Sequence, residues 1–193
     1  LFEQAVEFFN KKDYDKSKSL YEEILKINPK NSAIYGNLGV IFRIKGDVAT
    51  AIKYYIEAIK LDPKNLPIYN NLANAFKEIK NYKMALQVYS DALKINPNDF
   101  NIYNNIGIVF ELIGENNKAI EAYKQAVRVN PNHAKSINNI GVVLYKQKKY
   151  KESAQIFEIA LQVDENYFEV YSNKGAAYNK AKEYDKAIES LEM

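Results

Sequence analysis

Four prolines stand 34 residues apart, at Pro29, Pro63, Pro97 and Pro131, and Glu165 fills the fifth slot of the series. The residues around them recur in the same register. Tyr35, Tyr69, Tyr103, Ile137 and Tyr171 come first, then the small residues Gly39, Ala73, Gly107, Gly141 and Gly175, then Phe42, Phe76, Phe110, Leu144 and Tyr178. Each block continues with Ala51, Ala85, Ala119, Ser153 or Ala187. Tyr55, Tyr89, Tyr123, Phe157 or Leu191 follows, and then Ala58, Ala92, Ala126 or Ala160. A fixed period of this size is the mark of one supersecondary unit that cannot bury its apolar face alone and therefore stacks on copies of itself. Such an array is quasi-one-dimensional. It offers a long surface and no inbuilt catalytic pocket.

Aromatic, small, aromatic, Ala, aromatic, Ala and Pro in this order resemble the tetratricopeptide repeat, a 34-residue helix–turn–helix unit. The resemblance covers the whole chain. It implies an all-α fold, a right-handed superhelical solenoid of antiparallel helix pairs. With the proline as repeat position 32, full repeats run over 32–65, 66–99, 100–133 and 134–167, flanked by partial repeats 1–31 and 168–193, all in one array spanning 1–193. The first residue is Leu and both ends cut through a repeat, so the sequence reads as a piece of a longer protein.

Bulk composition narrows the function classes. Lysine and arginine number 27 against 24 acidic residues, and a net charge of +3 gives no field that points to nucleic acid. There is no cysteine, hence no disulfide framework and no thiolate metal site. No apolar run approaches the roughly 18 residues of a membrane span, and no signal-peptide pattern opens the chain. The expected setting is the cytoplasm or nucleus, without cofactor, nucleic acid or membrane.

Within each repeat the first helix is expected over positions 2–14 and the second over 18–31. At about 100° per residue, positions 4, 7, 8 and 11 of the first helix share a face, as do positions 20, 24 and 27 of the second. Small residues at 8, 20 and 27 let the axes approach, and the large ones at 4, 11 and 24 fill the space beside them. Gly46 and Gly114 mark the inner turn, Asp47, Asn81 and Glu115 suit the start of the second helix, and each proline stands where that helix must stop. The aromatics are core by this reading. Ala177, Ile188 and Leu191 form an open C-terminal face without a polar cap, which predicts end-to-end self-association.

The face opposite the core carries positions 2, 6, 9 and 13, on the inner, concave wall of such a stack. Position 6 reads Asn37, Asn71, Asn105, Asn139 and Asn173, and position 5 adds Asn70, Asn104 and Asn138. Asn is a mediocre helix former, so local structure does not favour it there. Its amide carries a donor and an acceptor, which match the donor and acceptor of every peptide unit. A ladder at repeat spacing can therefore grip an extended polypeptide by its backbone. The other reading is that these amides bond between neighbouring helices and tie the stack together. Asn74, Ile108, Val142 and Lys146 complete the expected binding wall. Its apolar members are either covered by neighbouring helices or receive ligand side chains. Lys135, Lys146 and Lys180 would favour an acidic ligand segment over the last two repeats, or form a solvated lysine-rich face.

The ladder Asn37, Asn71, Asn105, Asn139 and Asn173 looks like the repeat region of O-linked N-acetylglucosamine transferases, whose concave asparagines hold substrate backbones. The glycosyltransferase domain of that family has no counterpart in these residues. Concave asparagines also occur in kinesin light chains and the peroxisomal import receptor. The two-carboxylate clamp of heat-shock co-chaperones is absent, because position 5 never carries Lys and position 6 never carries Arg.

Catalysis fails on inventory. His133 is the single histidine, beside a turn, and neither a phosphate-binding glycine loop nor a metal-spaced cluster is present. Two functions remain. One is a protein-interaction module that holds an extended peptide through the asparagines, including the substrate-recognition arm of a larger protein such as a glycosyltransferase. The other is a scaffold subunit of a ciliary, transport or cell-cycle assembly that uses its convex side or its ends.

Overall fold

The computed structural model describes residues 1–190, and the sequence-based assignments to Leu191, Glu192 and Met193 lie outside it. Among the described residues there are twelve α-helices and no strand. They are α1 (Phe2–Asn10), α2 (Tyr14–Ile27), α3 (Ser32–Ile44), α4 (Val48–Leu61), α5 (Leu66–Glu78), α6 (Tyr82–Ile95), α7 (Phe100–Leu112), α8 (Asn116–Val129), α9 (Ala134–Lys146), α10 (Tyr150–Val163), α11 (Phe168–Lys180) and α12 (Tyr184–Glu189). Each full-length helix starts one residue earlier than the periodicity places it. None is long and apolar enough to cross a membrane.

The helices fall into two compact units, residues 1–95 and 96–193. In the first, α1 to α6 pack each on the next, and α3 also touches α5. In the second, α7 to α12 do the same, and α9 touches α11. Contacts within a pair run in opposite chain directions. Phe2 meets Tyr21, Ser17 donates to the Ala5 carbonyl and Phe9 meets Tyr14, so the two helices are antiparallel.

One residue closes each first helix and opens the second. The backbone N–H at position 16 reaches the position 11 carbonyl, as in Asp47 to Phe42 (2.9 Å) and Lys149 to Leu144 (3.0 Å), which is the closing bond of a Schellman turn. The same residue precedes the second helix, and its side chain caps it where it can. Asp13, Asp47 and Asn81 accept from the N–H three residues on, at 3.3, 3.0 and 3.3 Å. Glu115 makes no such bond, so its expected capping role is corrected. Its longer side chain is a poorer fit to that ring than Asp or Asn.

The turn itself requires a left-handed residue. Gly46 and Gly114 supply it at φ 84° and 80°, but Lys12, Lys80, Lys148 and Lys182 adopt φ of 60°, 59°, 62° and 65° at the same repeat position. A side chain there costs roughly 1–2 kcal/mol. Lys148→Gly is therefore expected to raise stability by about 0.5–1 kcal/mol after the added chain entropy of glycine is subtracted. Urea unfolding would check it, and an unchanged midpoint would mean the lysine conformation carries no strain.

The long turns between repeats use a device absent from the proline reading. Asn28, Asp62, Asn96, Asn130 and Asp164 each accept from the N–H two residues on, at 3.1–3.4 Å. This Asx turn forms around Glu165 as well as around the four prolines, so the acidic or amide side chain sets the turn and proline only fits it.

Tyr21, Tyr55, Tyr89, Tyr123 and Phe157 are at most 1% exposed and form the centre of each helix pair. Where position 8 is glycine, the ring lies directly on the backbone of the first helix. A Cβ at Gly39 or Gly141 would stand 2.5 Å from the Tyr55 or Phe157 ring. Where position 20 is Ser, the hydroxyl is satisfied by the facing carbonyl, Ser17 to Ala5 and Ser153 to Gly141, each at 2.8 Å.

Candidate functional site

Residues at positions 2 and 13 of the first helices are exposed, from Ala33 and Pro67 to Glu78, Lys146 and Lys180, as the helical period predicts for the face opposite the core. Positions 6 and 9 lie between that face and the core. Asn37, Asn71, Asn105, Asn139 and Asn173 are all half-buried.

Their amides are used between helices. Asn139 donates through Nδ2 to Oδ1 of Asn104 at 3.0 Å, and Asn173 donates to Asn138 at 3.2 Å. A position 6 amide thus binds the position 5 carbonyl of the preceding repeat. Asn37 donates instead to the Tyr21 hydroxyl at 3.0 Å. Asn70 and Asn105 are engaged as well. For Asn71 the position 5 residue of the preceding repeat is Gly36, which has no side chain to accept, and no hydrogen bond of its amide is found among the described residues.

The placement of Asn104 and Asn138 on an accessible wall is corrected. They are 4% and 3% exposed and lie beneath the next first helix. Position 5 is about 100° from the neighbouring core position, at the flank of the helix, and the neighbouring repeat closes over it. Asn74 has a second task, since Oδ1 accepts from the Tyr89 hydroxyl at 3.1 Å. Ile108 and Val142 are half-buried and pack onto the core clusters beside them. The exposed apolar residues are one turn on, Ile44 at 47% and Leu112 at 52%. Lys146 is exposed but paired, 2.8 Å from Glu111, which in turn accepts from the Tyr123 hydroxyl at 2.6 Å. At the C-terminal end Ala177 is fully buried, against expectation. Ile188 is 57% exposed and lines a shallow cavity of about 430 Å³ with Ala176 and Tyr184.

The position 24 hydroxyls of Tyr21, Tyr89 and Tyr123 lead toward this wall, a connection the sequence reading missed. The repeated Tyr at position 24, with polar groups at 6, 9 and 12, was the available signal. Burial pushes the Tyr21 and Tyr89 hydroxyls above their ordinary pKa, and at Tyr123 the Glu111 carboxylate adds to burial.

His133 belongs to a structural chain of bonds. Ser136 Oγ donates to Asn104 Oδ1 at 3.0 Å and lies 2.7 Å from His133 Nδ1. The single hydroxyl proton is spent on Asn104, so Nδ1–H of His133 is the donor to Ser136. Burial, aided by the charge of Lys135, holds the histidine pKa below its usual value. Ser136 is fully buried and unreachable by a substrate. No group of His, Asp and Glu arranged to hold a metal occurs among the described residues. A cavity of about 500 Å³ lies away from the asparagines, between α8, α9 and α10, floored by Ile120, Ile140, Leu144 and Ile156.

Models of the tetratricopeptide repeat match residues 1–31, 20–53, 39–80, 73–114, 112–148, 134–167 and 168–192, which together cover almost the whole chain. The chain belongs to the tetratricopeptide repeat family. Its repeats form protein-interaction scaffolds, and this is the class of the present protein. A tetratricopeptide repeat protein from Parabacteroides merdae is similar with a TM-score of 0.82 and 22% identity, over 99% of this chain and 76% of that one. The pilF protein of Pseudomonas aeruginosa gives 0.79 at 19% identity, over 98% and 86%. YrrB, described as a tetratricopeptide repeat protein with an unusual peptide-binding site, gives 0.65 at 20% identity, over 89% of each chain. Identities at this level establish a shared fold. No curated protein sequence matches the chain.

Proposed function

We propose that the chain is a peptide-binding module that holds extended polypeptide along the first-helix wall of its repeats, through the asparagine amides. The observation that carries this reading is the one-sided use of those amides. Asn139 and Asn173 each commit one amide hydrogen to the first helix of the preceding repeat. That bond fixes the rotamer and leaves the carbonyl oxygen as an acceptor beside the exposed positions 2 and 13. An amide held in this way is pre-organised, so a ligand bond to it costs less ordering. Asn105, Asn37 and Asn71 extend the same row within their own units, and Asn74 and Asn70 flank it. As in the sequence reading, the module would serve as the recognition arm of a larger protein, a glycosyltransferase among the options.

Asn71 separates binding from architecture. Because it ties nothing, Asn71→Ala is expected to leave the melting temperature unchanged or higher, Ala being the better helix former. Binding to an array of extended peptides should weaken about three- to tenfold, the value of one hydrogen bond of roughly 0.5–1.5 kcal/mol. Asn173→Ala should lower stability by about 1 kcal/mol, since it strips the partner from the buried Asn138 carbonyl. If Asn71→Ala leaves peptide binding intact while Asn173→Ala only destabilises, the asparagines are ties alone.

In that case the scaffold reading takes over. The cavity over Ile120, Ile140, Leu144 and Ile156 favours it, as a recess with an apolar floor and a polar rim that none of the position 5 and 6 asparagines lines. The exposed Tyr184 and Ile188 support the end-to-end association expected from the sequence, which sedimentation at rising concentration would detect.

A further inference from the structure

Within the first unit, the wall contains two buried polar atoms that nothing satisfies, the Tyr55 hydroxyl and Nε of Arg43. Buried polar groups are nearly always paired, and an orphan calls for a reason. The other repeats show what is missing. The position 24 hydroxyl of Tyr89 finds an acceptor in Asn74, and that of Tyr123 finds one in Glu111. In the repeat of Tyr55 the corresponding positions hold Val40 and Arg43, and neither side chain can accept. The Tyr55 oxygen can accept from the Arg43 guanidinium beside it, but the Tyr55 hydroxyl hydrogen has no acceptor. Burial pushes the Tyr55 hydroxyl up to about 12, and the adjacent Arg43 charge opposes that shift.

The nearest anion leaves most of Arg43 unspent. Glu78 approaches only Nη1, at 3.9 Å, the outer limit of an ion pair. The same two repeat positions in the second unit carry the opposite polarity and close properly. There Glu111 meets Lys146 at 2.8 Å and takes the Tyr123 hydroxyl as well. The Arg43 side chain is about one third exposed, so its fork can be reached from solvent.

We propose that Arg43 and Tyr55 form a carboxylate-recognition point on the first-unit wall, at which an acidic side chain or the C-terminus of a bound peptide supplies the acceptor. This rests on the peptide-binding reading above and adds to it a chemical preference. Arg43 turns toward the ligand carboxylate, which accepts from its guanidinium in the bidentate geometry that a fork of N–H groups favours. The Tyr55 hydroxyl, uncovered by that movement, donates to the same carboxylate. The site is open because its own acceptor is absent, and the second unit is closed because Glu111 provides one. The sequence reading set an acidic ligand segment, or else a solvated lysine-rich face, at Lys135, Lys146 and Lys180 of the last two repeats, and Arg43 adds a separate point in the first unit.

The test uses three twelve-residue peptides of Ala, Ser and Gly, N-acetylated and fluorescently labelled. One has two central Gln and an amidated end, one has Glu at those sites and an amidated end, and one has Gln and a free C-terminal carboxylate. Fluorescence anisotropy is read with the wild type, with Arg43→Glu/Glu78→Lys and with Tyr55→Phe. The double exchange copies the closed arrangement of the second unit and keeps the net charge, so it should fold at least as stably. The wild type is expected to prefer one of the two carboxylate peptides over the Gln amide by about tenfold or more. Which of them is preferred tells an acidic side chain from a chain end. The preference should vanish in the double exchange and shrink in Tyr55→Phe, with the Gln amide bound as before by all three proteins. Equal binding of all peptides, or a preference that survives the exchange, overturns the carboxylate point and leaves the peptide-binding reading standing. Binding of no peptide overturns both.

Discussion

Phe157→Ala is expected to destabilise the second unit by about 3–5 kcal/mol, the largest single effect in the chain. The ring is 1% exposed and packs among Ile137, Ala154, Ala160, Val170 and Tyr178. It also lies close against the Gly141 backbone, where glycine offers no side chain to fill the space it leaves. In a stacked array each repeat is held only by its neighbours, so the loss falls on the contacts of α9 and α10 with α11. Urea unfolding should show an early transition for the second unit, and amide exchange should accelerate there while the residues of α1 to α4 keep their protection. A uniform loss over all twelve helices would contradict the quasi-one-dimensional account.

Gly107→Ala is expected to cost about 1–3 kcal/mol, although alanine is worth roughly 1 kcal/mol more than glycine in a helix interior. An added Cβ would stand 2.6 Å from Cδ1 of Tyr123, and that ring cannot retreat because its hydroxyl is held by Glu111. Two comparisons isolate the cause. Gly36→Ala, in first helix α3 at repeat position 5, places its Cβ 3.5 Å from Ile68 Cδ1 in an ordinary contact, and should stabilise by about 0.5–1 kcal/mol. Tyr123→Phe releases the ring, so in its background Gly107→Ala should cost less than alone. Thermal melts of the four proteins provide the readout. If both glycine exchanges shift stability in the same direction, ring contact is not what selects glycine at position 107.

Much of the candidate site was legible, and the part that was not has a definite cause. The row Asn37, Asn71, Asn105, Asn139 and Asn173 follows from period and face alone. That Asn104 and Asn138 lie beneath it does not. They sit at the flank of the helix, and only the angle and spacing of the next repeat decide whether a flank is covered. The orphaned Tyr55 hydroxyl is hidden for a related reason. Its missing acceptor lies on the partner helix, and the sequence alone does not pair position 24 with positions 9 and 12. The lysines in left-handed turns run against local preference, and the tight turn between two packed helices imposes that conformation on them.

By itself, then, the sequence determined the repeat length, the two helices of each repeat and the aromatic and small residues between them. Those follow from periodicities of 34 residues and about 3.6, which act along one chain segment at a time. The tertiary structure alone decided which amides are spent between repeats and which polar groups are left without partners. Both depend on side chains from different helices meeting at hydrogen-bond distance. A shift of an ångström between two helices makes or breaks such a bond, while the apolar pattern that brings the helices together tolerates it.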